Sequence, residues 1–220
     1  MCGRYALHSH PQVVALAFGL AMPPEFAPRF NIAPLSDVLI VRAGADGEPQ
    51  AAITRWGLLP RWAKDPKLAA KLNNARAETV AEKPSFRDAF RRWRCLVPAN
   101  GFYEWRAEIG RKQPYYIRPA DGELFAFAGL WERWEGPRGP LEACAILTTD
   151  ANQRMQAISN HRMPVILPAA SYAQWLDCRP ANDVTAMLRP CAPGSIETYR
   201  VGPEVNNARN DRPELIGPRP

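Results

Sequence analysis

The 220-residue chain holds little from which to build a metal centre, a disulfide framework or a membrane anchor. Only three histidines are present, and the five cysteines include no Cys-x-x-Cys pair. That pattern argues against structural zinc and against a disulfide scaffold. The chain also lacks an apolar run near the roughly 20 residues of a membrane span, and its start does not resemble a signal peptide. We therefore expect no metal, no cofactor, no membrane partner and a cytoplasmic location.

The overall composition is that of an ordinary soluble domain with a basic surface. Apolar residues make up 46% and charged residues 23% of the chain, and the formal net charge is +6 with a sequence pI of about 9.3. A basic balance suits a polyanionic partner. No repeat, low-complexity linker, heptad or apolar surface stripe is visible, so we expect one domain and a monomer.

Proline, at 23 residues, is scattered along the chain, which predicts many short elements. Short apolar or alternating runs bounded by Pro and Gly predict strands, over 3–7, 38–42, 51–56, 94–97, 101–106, 115–118, 124–131, 142–148, 164–167 and 196–201. Helices are predicted over 11–20, 85–93, 151–157, 169–176 and 182–188, with Ser85 as an N-cap. Many strands and few helices indicate an α+β fold on a curved or barrel-like sheet.

The unusual feature of the amino terminus is a cysteine directly after the initiator methionine. Such a position is a poor place for a structural cysteine, because chain termini are commonly frayed. A small second residue favours removal of Met1, and Cys2 would then carry two nucleophiles, its thiol and its α-amine. The unperturbed pKa of an α-amine is about 7.7–8.0, so a useful fraction is neutral at cellular pH.

Glu104 lies in the run GFYEW, where strand alternation puts it on the same face as Phe102 and opposite Tyr103. In a cleft, burial would raise the pKa of this carboxyl and make it a proton carrier near neutrality. Periodicity alone favours a different interpretation, a solvated glutamate at a sheet edge.

Two polar stretches could face a ligand. KLNNARAET predicts a loop in which Asn74 could orient a substrate oxygen and Arg76 could grip a phosphate; a solvated turn is the alternative. SNHRMPVIL places His161 just before a strand, where it could protonate a leaving oxygen, although a lone histidine is more often structural.

Aromatic residues and the other cysteines separate into core and surface. In WGLLPRW we assign Trp56 to the core and Trp62 to a surface platform on which an unpaired base could stack. Cys95 and Cys144 lie in apolar strands and are interpreted as inert core residues. His8 and His10 are spaced like a chelating pair but lack a third ligand nearby, so we interpret them as solvated.

Nine stretches occur in the order found in the SOS-response-associated peptidase (SRAP) family, which the chain resembles over residues 2–215, leaving 216–220 as a tail. They are MCGRY, RFNIAP, WGLLPRW, NNARAET, LVPANGFYEW, FAFAGLWE, LTTDAN, NHRMPVIL and VNNARN. The resemblance implies a single α+β domain with a strongly curved, barrel-like, mostly antiparallel β core and peripheral helices. It also implies a role in the DNA damage response, shielding abasic sites in single-stranded DNA or at single-strand/duplex junctions, with nucleoid association when DNA is bound.

The chemistry that the resemblance implies is a covalent thiazolidine between Cys2 and the aldehyde of the abasic site. The implied catalytic residues are Cys2, Asn74, Glu104 and His161. The implied DNA contacts are Arg4, Arg76 and Arg162 on phosphates, Trp62 on bases, and Pro34 and Thr149 near the cleft. Family members with two adjacent tryptophans differ from this chain, which reads Trp62-Ala63, so the extent of base stacking stays open.

Two rival functions remain at this point. One is an N-terminal-nucleophile cysteine peptidase acting on its own amino terminus, and the other is a non-catalytic single-strand binder. A lyase side reaction through the Schiff base would accompany the covalent chemistry.

Overall fold

A computed structural model describes residues 2–122, 124–158, 161–180 and 182–219. The strands are β1 (Tyr5–Leu7), β2 (Arg29–Ile32), β3 (Asp37–Ala43), β4 (Pro49–Trp56), β5 (Asn74–Arg76), β6 (Arg94–Ala99), β7 (Gly101–Glu108), β8 (Arg111–Pro119), β9 (Phe125–Gly136), β10 (Gly139–Asp150), β11 (Arg162–Pro164), β12 (Ile166–Leu167) and β13 (Ile196–Arg200). The α-helices are α1 (Pro11–Phe18), α2 (Arg87–Arg92), α3 (Gln153–Gln156) and α4 (Tyr172–Leu176).

Five strands close into a small mixed barrel. Strand β10 pairs antiparallel with β9 and parallel with β4, and the ring continues through β3 and β6 back to β9. Closing the sheet on itself removes the exposed edges that an open sheet would present. At its far end β10 also pairs with β5 and β11, and β12 pairs with β9. The expected curved, barrel-like and mostly antiparallel core is confirmed.

A second sheet, in the order β13-β8-β7-β1-β2, is antiparallel throughout and packs on the barrel. Tyr5 of β1 makes edge contacts with Trp56 and Phe127 of the barrel, at ring centroid distances of 5.4 and 5.8 Å. The opposite face of this sheet carries Tyr103 and Tyr116, which pack against residues of the 201–216 segment. The two faces of β7 therefore alternate as the sequence predicts.

The helices are short and peripheral, and two expectations about them are wrong. The predicted helix over 182–188 is only a 3₁₀ turn at Thr185–Met187. Ser85 does not cap α2, whose N-cap position is Phe86 with no side-chain cap hydrogen bond. Elsewhere capping works as the residue type predicts: Asn152 Oδ1 accepts the Met155 N–H at the start of α3. No helix among these ranges is both long and apolar enough to cross a membrane.

Two strands were not predicted from the sequence. Strand β2 lacks a clear alternating pattern, and β5 lies inside the polar 71–79 stretch, whose composition predicts a loop. Their partners define them: β2 pairs with β1, and β5 lies parallel to β10. Strand pairing with a distant segment leaves little local signal, which is why tertiary context decides β structure more than helix.

The carboxy-terminal segment is fastened to the second sheet. Asn31 is fully buried and donates from Nδ2 to the carbonyls of Val205, Asn207 and Asn210. Leu215 is buried, and the Arg219 backbone N–H donates to the Arg200 carbonyl. The domain division at residue 215 stays a prediction.

Candidate active site

Cys2 lies three residues before the start of β1 and is completely buried. Strand β1 runs antiparallel to β7, with Tyr5 opposite Phe102 and the Tyr103 N–H donating to the Arg4 carbonyl at 2.9 Å. Continuing that register brings Glu104 opposite Gly3, beside Cys2. From the barrel side, Asn74 Nδ2 donates to the Cys2 carbonyl at 2.8 Å. The thiol, the amide and the carboxyl thus come together where the two sheets meet.

Burial changes the proton affinities of this group. It raises the pKa of the Cys2 thiol to about 12, and the negative charge of Glu104 adds to that rise. Glu104 itself is only 6% exposed, and burial raises the pKa of its carboxyl. The interpretation as a solvated edge glutamate is therefore wrong. The resting thiol is protonated, while the carboxyl titrates closer to neutrality than an ordinary glutamate.

Asn74 is held in place by the strand that contains it. In β5, Ala75 faces the core and is fully buried, so Asn74 and Arg76 share the other face. The register with β10 sets Asn74 beside Ile146. Within the described residues, Asn74 Oδ1 is buried and has no hydrogen-bond partner. A buried, unpaired acceptor is costly, so this oxygen is suited to accept a hydroxyl of a bound ligand.

Arg162, at the start of β11, already uses its guanidinium within the protein. It donates to both carboxylate oxygens of Glu78 at 2.7 and 3.0 Å, to Asp150 and to Thr148, and only 14% of its side chain is exposed. This bidentate contact holds the pKa of the Glu78 carboxyl below its usual range. It also locks the turn after β5 against β10. Phosphate binding by Arg162 stays a prediction and would have to compete with these carboxylates.

The Arg4 guanidinium likewise makes hydrogen bonds within the protein. Its Nη1 donates to Asn31 Oδ1 and to the Val205 carbonyl, each at 2.8 Å, and the guanidinium lies 5.9 Å from the Trp105 ring centre. Arg4 therefore joins the amino terminus to the carboxy-terminal segment beside the site. A phosphate contact by Arg4 stays a prediction.

His161 and Arg76 are exposed side chains close to the ends of β10 and β5. The His161 carbonyl accepts the Ala151 N–H at 3.2 Å, which puts the residue beside the end of β10. Its neighbours Ser159 and Asn160 lie outside the described residues, as does Met1, whose removal the sequence predicts. The predicted roles of His161 and Arg76 remain predictions.

The remaining predicted residues occupy different surroundings. Trp56 is fully buried and donates from its indole to the Asn73 carbonyl, whereas Trp62 is 55% exposed. Pro34 is half-buried. Thr149 is 4% exposed, and its hydroxyl donates to the Leu188 carbonyl. A DNA contact by Thr149 would therefore require the 185–188 segment to move, while Trp62 is available as it stands.

Sequence reasoning missed the importance of Asn31 and Glu78. Asn31 supports Arg4 and anchors three carbonyls, and Glu78 binds Arg162. Both lie in the motifs RFNIAP and NNARAET. The neighbouring sequence, however, does not distinguish a buried asparagine with several hydrogen bonds from one on the surface.

Glu104 also borders a depression of about 450 Å³ that is lined further by Trp105, Ala107, Lys112 and Asn206. Across the described ranges, no three His, Cys, Asp or Glu side chains are grouped so as to hold a metal ion. The site can therefore supply a thiol, a proton carrier and an amide acceptor.

Fold and site together define a mixed β-barrel protein in which a buried cysteine at position 2 lies beside the Asn74 amide and the Glu104 carboxyl. The chain belongs to the family described as SOS response associated peptidase (SRAP), whose profile matches residues 1–208.

Relatives of known name and structure agree with that assignment. The chain is 41% identical to abasic site processing protein YoqW of Bacillus subtilis (strain 168), covering 98% of this chain and 99% of the relative. It is 35% identical to abasic site processing protein HMCES of Gallus gallus, covering 88% of this chain and 67% of the relative. A crystal structure of a Bacteroides thetaiotaomicron protein superposes with a TM-score of 0.87 at 28% identity, covering 99% of this chain and all of that one.

Proposed function

We propose that this protein processes abasic sites in DNA by forming a covalent cross-link through Cys2. The observation that carries the proposal is the grouping of the buried Cys2 and Glu104 with Asn74, whose side-chain oxygen is also buried. The names of the relatives give the substrate class, an abasic site. The ring-opened form of such a site is an aldehyde, which an amine and a thiol on one residue can capture together.

In the first step, removal of Met1 exposes the Cys2 α-amine, which attacks the aldehyde carbon. A C–N bond forms, and loss of one water gives a Schiff base. The amine must be neutral to attack, which its ordinary pKa of about 7.7–8.0 permits. His161, exposed at the end of β10, assists opening of the sugar ring by moving a proton to or from its oxygen.

In the second step, the Cys2 sulfur adds to the imine carbon and closes a five-membered thiazolidine. Because the thiol pKa is raised to about 12, the S–H proton must be taken by a nearby base as the bond forms. Glu104 accepts that proton and returns it to the imine nitrogen, so the net reaction releases only water. Asn74 Oδ1 accepts a hydrogen bond from the sugar and holds it in place.

The strand that carries the lesion is single-stranded or ends at a duplex junction, because the aldehyde must reach a buried residue. Arg76 and Trp62 are exposed and suited to contact a phosphate and a base. Arg4 and Arg162 shape the site through their internal contacts. Arg4 can offer its Nη2 donors to a phosphate, whereas Arg162 must first release Glu78 or Asp150. The protein acts as a monomer.

Lyase and self-cleaving peptidase activity would be minor reactions of the same site. A Schiff base permits strand scission before the thiol closes the ring. A peptidase needs a thiolate, and the raised pKa of Cys2 makes that species scarce. We therefore place the cross-link ahead of peptide hydrolysis.

Mass spectrometry of the purified protein mixed with abasic single-stranded DNA tests the proposal. We expect loss of Met1 and a heat-stable species with the mass of protein plus DNA minus one water, linked at Cys2. Cys2→Ala should give no such species without a reductant, and Cys2→Ser should give a weaker one. An equally heat-stable adduct from Cys2→Ala, or retention of Met1 in the adduct, would overturn the thiazolidine chemistry.

A further inference from the structure

Lysine and arginine are used differently in this molecule. All the ion pairs seen among the described residues are made by arginines. The chain has only five lysines, and three of them, Lys64, Lys67 and Lys71, fall within eight residues. All three are exposed, and in the described ranges their ammonium groups have no ion pair or hydrogen bond.

These three lysines are carried by an ordered segment. The 3₁₀ helix Pro66–Lys71 is capped by Asp65, whose Oδ1 accepts the Lys67 N–H at 2.9 Å. Lys64, Lys67 and Lys71 line a groove of about 430 Å³, and the half-exposed indole of Trp62 forms its border. We call Trp62 and the three lysines the lysine surface.

The lysine surface is fixed to the candidate site by the chain that follows it. Asn74 comes three residues after Lys71, and the Leu72 and Asn73 carbonyls accept hydrogen bonds from Leu58 and the Trp56 indole. Gly57 allows this close packing, since a Cβ there would lie 2.7 Å from the Ala69 carbonyl oxygen. The span from Lys71 to Asn74 is at most about 11 Å, so the lysine surface begins close to the residue that is proposed to hold the sugar.

We propose that the lysine surface binds the phosphodiester backbone of single-stranded DNA on one side of the abasic site. Lysines are mobile, fully hydrated charges and suit sequence-independent contact with phosphates. Trp62 adds a stacking face for a base of the same strand. The inference rests on the proposed function for its choice of ligand, and it adds the residues that hold the flanking strand.

The test compares Lys64→Gln/Lys67→Gln/Lys71→Gln with a control of equal charge, Arg91→Gln/Arg138→Gln/Arg189→Gln. The control arginines are exposed and, in the described ranges, make no side-chain ion pair or hydrogen bond. Affinity for intact and abasic single strands is measured against salt concentration by fluorescence anisotropy. Each phosphate contact contributes roughly 0.7 to the slope of log K against log salt, so three lysines should lower it by about 2.

We expect the slope to fall by about 2 in the lysine variant and to change little in the control. The corresponding Lys→Arg triple variant should keep the wild-type slope. Strands extended on only one side of the lesion should show the loss, and strands extended on only the other side should not. Saturating DNA should restore the yield of cross-link. Equal slopes for the lysine and control variants would overturn the inference.

The two proposals can fail separately. If the wild-type protein forms no adduct with abasic DNA but the lysine variant still loses salt dependence, the lysine surface stands and the cross-link falls. If adducts form and the slopes of the lysine and control variants are equal, the cross-link stands and the lysine surface is wrong.

Discussion

The candidate site has a buried half and an exposed half, and they are built for different tasks. Cys2 and Glu104 are buried, and Asn74 keeps its side-chain oxygen out of solvent. Trp62 and Arg76 are exposed to solvent. In the first group burial shifts the pKa values of the thiol and the carboxyl. The exposed residues offer contact area and charge, which suit the binding of a long polyanion.

This difference separates chemistry from binding. A substitution in the buried half should change the rate of bond formation and leave affinity for intact DNA nearly unchanged. A substitution in the exposed half should do the opposite, and by a smaller factor, because solvated contacts are individually weak.

Glu104→Gln should give the largest effect on rate after loss of the cysteine itself. General acid–base assistance contributes about 10²–10⁴-fold, so we expect adduct formation at pH 7 to slow by at least about 10²-fold. In the wild type, the rate should fall with acidification once Glu104 is protonated. Because burial raises the pKa of this carboxyl above its usual 4.5, that fall begins at a higher pH than for an exposed glutamate.

Glu132→Gln is the matched control, since Glu132 is also buried and burial also raises the pKa of its carboxyl. Single-turnover rates over a pH series check the expectation. Protonation of the Cys2 α-amine lowers the rate on acidification in both proteins, so the comparison is of steepness. If the rate of Glu104→Gln fell with acidification as steeply as that of the wild type, the role of Glu104 as proton carrier would be wrong.

Asn74→Ala should slow adduct formation about tenfold, because it removes the donor to the Cys2 carbonyl and the acceptor offered to the sugar. Asn73→Ala is the control, since its backbone carbonyl, not its side chain, makes the contact with Trp56. Rates with abasic strands and affinities for intact strands are measured in parallel. A loss of affinity equal to the loss of rate would place Asn74 in binding instead of positioning.

Much of this arrangement was predictable from the sequence. The alternation in GFYEW located β7 and its two faces, and apolar runs bounded by Pro and Gly gave most strands of the barrel. The core placement of Trp56, Cys95 and Cys144 is confirmed, since each is fully buried. These residues carry local signals, namely apolar neighbours and a period of two.

What failed depends on distant partners. Glu104 is buried because β7 is an inner strand of a sheet that packs on the barrel, with the segment that carries Cys2 beside it, and no local pattern in GFYEW reports that packing. Strand β5 exists because β10 lies beside it, although its own sequence is polar. The helix predicted over 182–188 contains a usable pattern, yet only one 3₁₀ turn forms there. Short helices in a proline-rich chain depend on packing more than on propensity.

Trp62→Ala should weaken binding of single-stranded DNA about fivefold, the lower end of the roughly 1–3 kcal/mol that one stacked base contributes. Trp62→Phe should retain most of the affinity, and Ile109→Ser, at a fully exposed apolar residue elsewhere, serves as control. The rate of adduct formation at saturating DNA should not change. Unchanged dissociation constants for Trp62→Ala would show that Trp62 does not contribute to DNA binding.

The smallest expected effect concerns the backbone conformation of Leu35. Leu35 is the only non-glycine residue of the described ranges with a positive φ, at 68°, and its N–H donates to the Trp56 carbonyl. A side chain in this conformation costs roughly 1–2 kcal/mol. Leu35→Gly should therefore be more stable than Leu35→Ala by about 1 kcal/mol, since both lose the side chain and only alanine retains the strained Cβ. At Leu16, exposed in α1, the order should reverse by about 0.5–1 kcal/mol. Urea unfolding of the four variants measures both differences, and the same order at the two positions would show that the backbone at Leu35 is not strained.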